Sequence, residues 1–122
     1  NGQNAPPAEG AGAPSGEKPQ VRAWHSPGGH IIAVYDNADN KIDIATAGGH
    51  HLTLDDANNK VVITTSGGLS ITLDDGGSKI SLQSGGEVEI NTSGNLTLES
   101  GGNIDIQASG QVNIQGSMVN LN

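Results

Sequence analysis

From Ile80 to the C-terminus, an aliphatic-x-aliphatic pair returns about every eight residues, separated by short turns of Gly, Ser or Asn. The pairs are Ile80/Leu82, Val88/Ile90, Leu96/Leu98, Ile104/Ile106, Val112/Ile114 and Val119/Leu121, and Gly86, Gly94, Gly102 and Gly110 keep the same count. Side chains alternate faces along a strand. Each pair therefore points one way while Ser81, Glu89, Thr97, Asp105, Asn113 and Asn120 point the other. Each octad predicts one short strand and one corner. A unit this small cannot bury its apolar face alone, which marks a solenoid-type architecture.

Between Gly28 and Gly86 the period lengthens. The stretch Gly48-Gly49-His50-His51-Leu52-Thr53-Leu54-Asp55-Asp56 superposes on Gly67-Gly68-Leu69-Ser70-Ile71-Thr72-Leu73-Asp74-Asp75 at an offset of 19, and Lys41, Lys60 and Lys79 recur at the same interval. An earlier copy begins at Gly28, 20 residues before Gly48. Each unit predicts two strands, such as Leu52 to Leu54 and Val61 to Ile63, joined by a polar turn such as Asp56-Ala57-Asn58-Asn59-Lys60. Residues 1–20 hold four of the five prolines with many Ala and Gly and no periodic aliphatic, and read as an extended linker or arm. The predicted organisation is an arm over 1–20, an upper β-helix over 21–86 and a C-terminal octad β-helix with a blunt tip over 87–122. No aliphatic pattern runs at helical spacing over three turns.

Composition narrows the architecture. The 122 residues include no Phe, no Cys, one Trp and one Tyr, and 33% are hydrophobic, too few for a thick globular core. An octad is too short to be a whole coil of a single-chain β-helix, but it suits one side of a triangular prism. The predicted fold is therefore all-β: a homotrimeric, intertwined β-helix, its axis filled by the inward pairs from Ile80, Leu82, Val88, Ile90, Leu96, Leu98, Ile104, Ile106, Val112 and Ile114. About ten strands per chain at 4.8 Å spacing would give a needle on the order of 50 Å long. A net charge of −8 with five basic residues disfavours nucleic acid and anionic membrane surfaces as binding partners. No apolar run approaches the length of a membrane span and no signal-peptide pattern is visible; without an initiator Met, the sequence reads as part of a longer protein.

Candidate chemistry is sparse. The acidic pairs Asp55/Asp56 and Asp74/Asp75 begin turns, where Asp is favoured for local backbone hydrogen bonds, and adjacent strand residues point apart, so a paired-carboxylate site is not expected. By parity, His30 shares a side with Ile32 and Val34, and His50 with Leu52 and Leu54. In a threefold assembly an inward His becomes three imidazoles around the axis, able to hold a metal or anion. The plainer reading places His30 and His50 at partly solvated corners, since neither has a second ligand at His-x-His spacing. No cofactor is expected. The sequence lacks a Gly-x-Ser-x-Gly elbow and a phosphate loop, and is not expected to be an enzyme.

The chain resembles the central spike proteins of contractile injection machines, including phage baseplate assembly protein V and the valine-glycine-repeat spikes of type VI and related systems. Arg22-Ala23-Trp24-His25-Ser26-Pro27-Gly28-Gly29-His30-Ile31-Ile32 is similar to the family's entry into the needle. Leu52-Thr53-Leu54-Asp55-Asp56, the octads from Gly86 to Gly110, and Gly116-Ser117-Met118-Val119-Asn120-Leu121-Asn122 are similar to its body and tip. Asn1-Gly2-Gln3-Asn4-Ala5-Pro6-Pro7 resembles the connector leaving an upstream barrel domain. The resemblance implies a homotrimeric, membrane-puncturing structural needle, joined upstream to hub, baseplate and tube components. It would be assembled in the cytoplasm in a phage tail or injection particle, and would touch the target membrane only on penetration. Some phage spikes end in an iron-binding His-x-His, whereas this sequence ends Val119-Asn120-Leu121-Asn122. The resemblance then implies a separate cap of the proline-alanine-alanine-arginine (PAAR) type docking on Met118, Val119, Asn120, Leu121 and Asn122. The competing assignment is a trimeric fibre or adhesin stalk that binds a surface ligand; a solenoid enzyme of the polysaccharide-lyase kind comes third.

Overall fold

The structure, a computed structural model, describes residues 20–121, so the expected arm, except for Gln20, and the final Asn122 lie outside the described residues. Seven five-residue strands follow one another: β1 (Val21–His25), β2 (Ile31–Tyr35), β3 (Lys41–Ala45), β4 (His51–Asp55), β5 (Lys60–Thr64), β6 (Ser70–Asp74) and β7 (Lys79–Gln83). They form one antiparallel sheet in the order of the sequence, and no helix occurs among the described residues. All-β architecture is thus established, with two strands and two turns per repeat as the 19-residue period predicts. Consecutive strands pair within the chain as a meander. Over residues 21–83 every strand from β2 to β6 therefore has an in-chain partner on both sides, and β1 and β7 form the two edges.

Two kinds of turn alternate along the two rims of this sheet. On one rim the five-residue connections Ser26–His30, Thr46–His50 and Thr65–Leu69 each carry Gly-Gly, with the second glycine at φ of 91°, 95° and 95° (Gly29, Gly49, Gly68), which β-carbon-bearing residues rarely adopt. A Ser or Thr opens each turn, and its hydroxyl accepts from the N–H four residues on: His30 to Ser26, His50 to Thr46 and Leu69 to Thr65, at 3.1–3.2 Å. On the other rim Asn40, Asn59 and Ser78 take positive φ just before the lysines of β3, β5 and β7. Asp55 Oδ1 accepts from Asn58 N–H at 3.1 Å, and Asp74 Oδ1 from Gly77 N–H at 3.2 Å. These carboxylates have the turn-forming role expected of them.

The chain divides into two compact units, Asn1–Val88 and Glu89–Asn122. In the second, extended segments bend at Ser93-Gly94, Gly101-Gly102 and Ser109-Gly110, keeping the octad count. Thr92 Oγ1 and Ser100 Oγ accept from Gly94 and Gly102 N–H, both at 3.1 Å, so a hydroxyl two residues ahead of the glycine pins the bend. Ala108 stands at the corresponding place before Gly110. The corners are as predicted, but among the described residues no strand forms beyond Gln83. These corners are bends, in contrast to the turns that reverse the chain between β1 and β7, and no ladder forms between the segments they join.

Candidate functional site

The register places one apolar column across the sheet. Trp24 faces Ile32, Ile32 faces Ile44, Ile44 faces Leu52, Leu52 faces Ile63, Ile63 faces Ile71 and Ile71 faces Leu82. A parallel row runs Val34, Ile42, Leu54, Val61, Leu73 and Ile80. The period-two pattern creates this face: every strand from β2 to β7 presents an aliphatic pair to this side. In a monomeric soluble sheet that side would hold the core. Here it is the more exposed one, with Ile71 at 40% and Ile80 at 75%, while the buried side chains, Val21, Ala23 and Ala33, lie on the opposite face. The octad aliphatics are equally open, Leu98 at 70% and Ile106 at 66%, as are Met118, Val119 and Leu121 in the last segment.

From β3 to β7 the opposite face is largely polar and internally paired. Its rim row alternates in sign across neighbouring strands, Lys41 facing Asp55, Asp55 facing Lys60, Lys60 facing Asp74 and Asp74 facing Lys79, an arrangement that favours this register. Lys41 Nζ also sits 5.0 Å from the centre of the Tyr35 ring. The Asn58 side-chain amide, donating to Asp55 Oδ2, holds the Asp55 carboxyl below the usual carboxylate range; slight desolvation opposes it, and Asn58 N–H, Lys41 and Lys60 assist. Beside these residues an open groove is lined by Leu54, Asp55, Lys60, Val61, Leu73 and Asp74.

Between β3 and β4, His51 Nδ1 at the Gly-Gly rim lies 3.1 Å from both Asp43 carboxylate oxygens, and Thr53 Oγ1 donates to Asp43 Oδ1 at 2.9 Å. A carboxylate only accepts, so His51 carries a proton on Nδ1. The Thr53 hydroxyl is turned to the carboxylate and not to the imidazole, so the set lacks a nucleophile–base contact. Sequence patterning had missed this cluster. The parity of Asp43, His51 and Thr53 would have put them on one face, but their contact follows only from the pairing of β3 with β4.

His30 and His50 are both exposed at the ends of Gly-Gly turns and not within strands. Ala47 N–H donates to His30 Nδ1 at 3.1 Å and Ser66 N–H to His50 Nδ1 at 3.2 Å. A neutral imidazole that accepts at Nδ1 carries its proton on Nε2, so in this arrangement neither ring offers a metal a free lone pair. No group of three or more metal-ligating side chains occurs among the described residues, and no helix among them is long and apolar enough to cross a membrane. The sequence matches no protein-family model and no curated protein.

Proposed function

We propose that this chain is the needle of a membrane-puncturing spike in a contractile injection system or phage tail, working as a homotrimer without a catalytic site. One observation carries this reading: an unbroken aliphatic face on the sheet, continued in period by exposed aliphatic pairs to Leu121. A chain with this much aligned apolar surface and no second layer of its own is stabilised by layering on equivalent surfaces. Three copies about one axis provide them symmetrically, and the octads, which do not pair within one chain, then find strands in neighbouring copies to form the intertwined part of the prism. The outward side would be the polar, hydrogen-bonded one, suited to a rod that slides without sticking. The blunt apolar end at Met118, Val119 and Leu121 would take the PAAR-type cap, and upstream the needle would continue into hub and baseplate components.

Cysteine substitution tests the arrangement without background, because the sequence has no Cys. Leu98→Cys near the axis should oxidise readily to an interchain disulfide, whereas Thr97→Cys, on the outside, should not. Equal cross-linking at the two positions would contradict the inward column.

A further inference from the structure

The three Gly-Gly turns share one internal design, yet only the first two reach forward to the next turn. His30 takes the N–H of Ala47, and His50 that of Ser66, 17 and 16 residues on. The third turn has Leu69 in the equivalent position, with no ring nitrogen to offer. The turns also nest closely: a β-carbon added at Gly29 would lie 3.2 Å from Ala47 Cβ, and one at Gly49 would lie 3.2 Å from Ser66 Cβ. We propose that His30 and His50 form a proton-sensitive zipper along this rim, in which each neutral ring clasps the following turn and a proton on Nδ1 opens the clasp.

The chemistry follows from the acceptor. Nδ1 holds the Ala47 or Ser66 N–H through its lone pair, and protonation replaces that lone pair with a second N–H, leaving two donors opposed at hydrogen-bonding distance. No compensating carboxylate sits in any of the three turns. The titratable groups of the first turn and its flanking strands β1 and β2 are His25, His30, Arg22 and Tyr35, the last two lying towards the far rim. The second turn brings His50, and β3 and β4 bring His51, Asp43, Lys41 and Asp55; Asp43 is already engaged by His51, and Lys41 and Asp55 face each other at the far rim. The third turn brings none, and the segment after β7 brings Glu87. All four histidines of the sequence therefore lie along one rim, while Lys41, Lys60, Lys79 and the turn carboxylates Asp55 and Asp74 occupy the other. Acidification charges the histidine rim and removes its two clasps together, loosening the three turns from one another while each keeps the bond to its own Ser or Thr hydroxyl.

The test uses the whole chain labelled with 15N. Near neutral pH, two-bond nitrogen–nitrogen couplings should link the Ala47 amide to His30 Nδ1 and the Ser66 amide to His50 Nδ1. Lowering the pH from about 7.5 to about 5 should abolish both couplings. Protection of the Ala47 and Ser66 amides against exchange, corrected for intrinsic rate, should fall by roughly two- to tenfold, while Leu69, whose N–H is held by Thr65 Oγ1, keeps its own. His30→Leu and His50→Leu, which copy Leu69, should each erase the pH dependence at one turn and leave the other. Couplings that survive at low pH, an equal loss at Leu69, or an unchanged pH response in the leucine variants would each overturn the zipper.

Discussion

Placing one carboxylate on each face of β6 separates the two sides of the sheet by a single step along the chain. Ile71 faces Ile63 and Leu82 on the aliphatic side, whereas Thr72 faces Val62 and Ser81 on the polar side. In one copy Ile71 still exposes 40% of its surface. Full burial of an isoleucine is worth about 1.5–3 kcal/mol, so covering that remainder contributes roughly 0.6–1.2 kcal/mol per chain, or about 2–4 kcal/mol for three. Ile71→Asp forfeits this and adds three unpartnered carboxylates around an axis, a cost of several kcal/mol per chain. Thr72→Asp leaves its charge in water and should stay within about 0.5 kcal/mol of the parent. Thermal melting alongside sedimentation velocity reads both quantities. The Ile71→Asp variant should lower Tm steeply and shift the protein towards monomer, while Thr72→Asp should do neither. If both variants melt together at the same assembly state, the aliphatic face is not an interface. The octads give the same contrast, Ile106→Asp being disruptive and Asn113→Asp nearly silent.

Two further outcomes are expected. If the proposed function holds, deleting residues 118–122 should abolish binding of a PAAR-type cap while leaving the oligomeric state unchanged, as read by pull-down and gel filtration; a truncated chain that still binds the cap would place the docking site elsewhere. Asn58→Ala removes the donor that lowers the Asp55 pKa, so the carboxyl should titrate closer to its ordinary value in an NMR pH series. The linkage sign is that of a depressed acid: its contribution to stability is complete above the unfolded-state pKa, is lost as pH falls through the folded value, and should shrink in the variant.

The sequence carries much of this fold because its repeat fixes both face and turn. Leu52, Leu54, Val61 and Ile63 announce their side by alternation, and Asp55 and Asp74 announce their turns by chemistry that is local in the chain. Contacts that depend on register are harder to see. Asp43 meets His51 only because Thr53 is its cross-strand partner, and His30 meets Ala47 only because alternate turns nest on one rim. Parity alone would put His30 and His50 on the apolar side, but parity holds only inside a strand; both residues close turns at exposed corners, as the plainer reading of the sequence has it. Burial of Val21, Ala23 and Ala33 on the far face was also invisible, since alternation marks which residues are apolar but not how the completed sheet covers its two faces.

The central claim is that the aliphatic face belongs to a threefold interior, and sedimentation equilibrium of the 122-residue chain tests it most directly. The account predicts a single species of three times the 12.3 kDa chain mass, unchanged on dilution through the micromolar range. A folded, stable monomer that leaves Ile71, Ile80 and Leu98 open to solvent would contradict it.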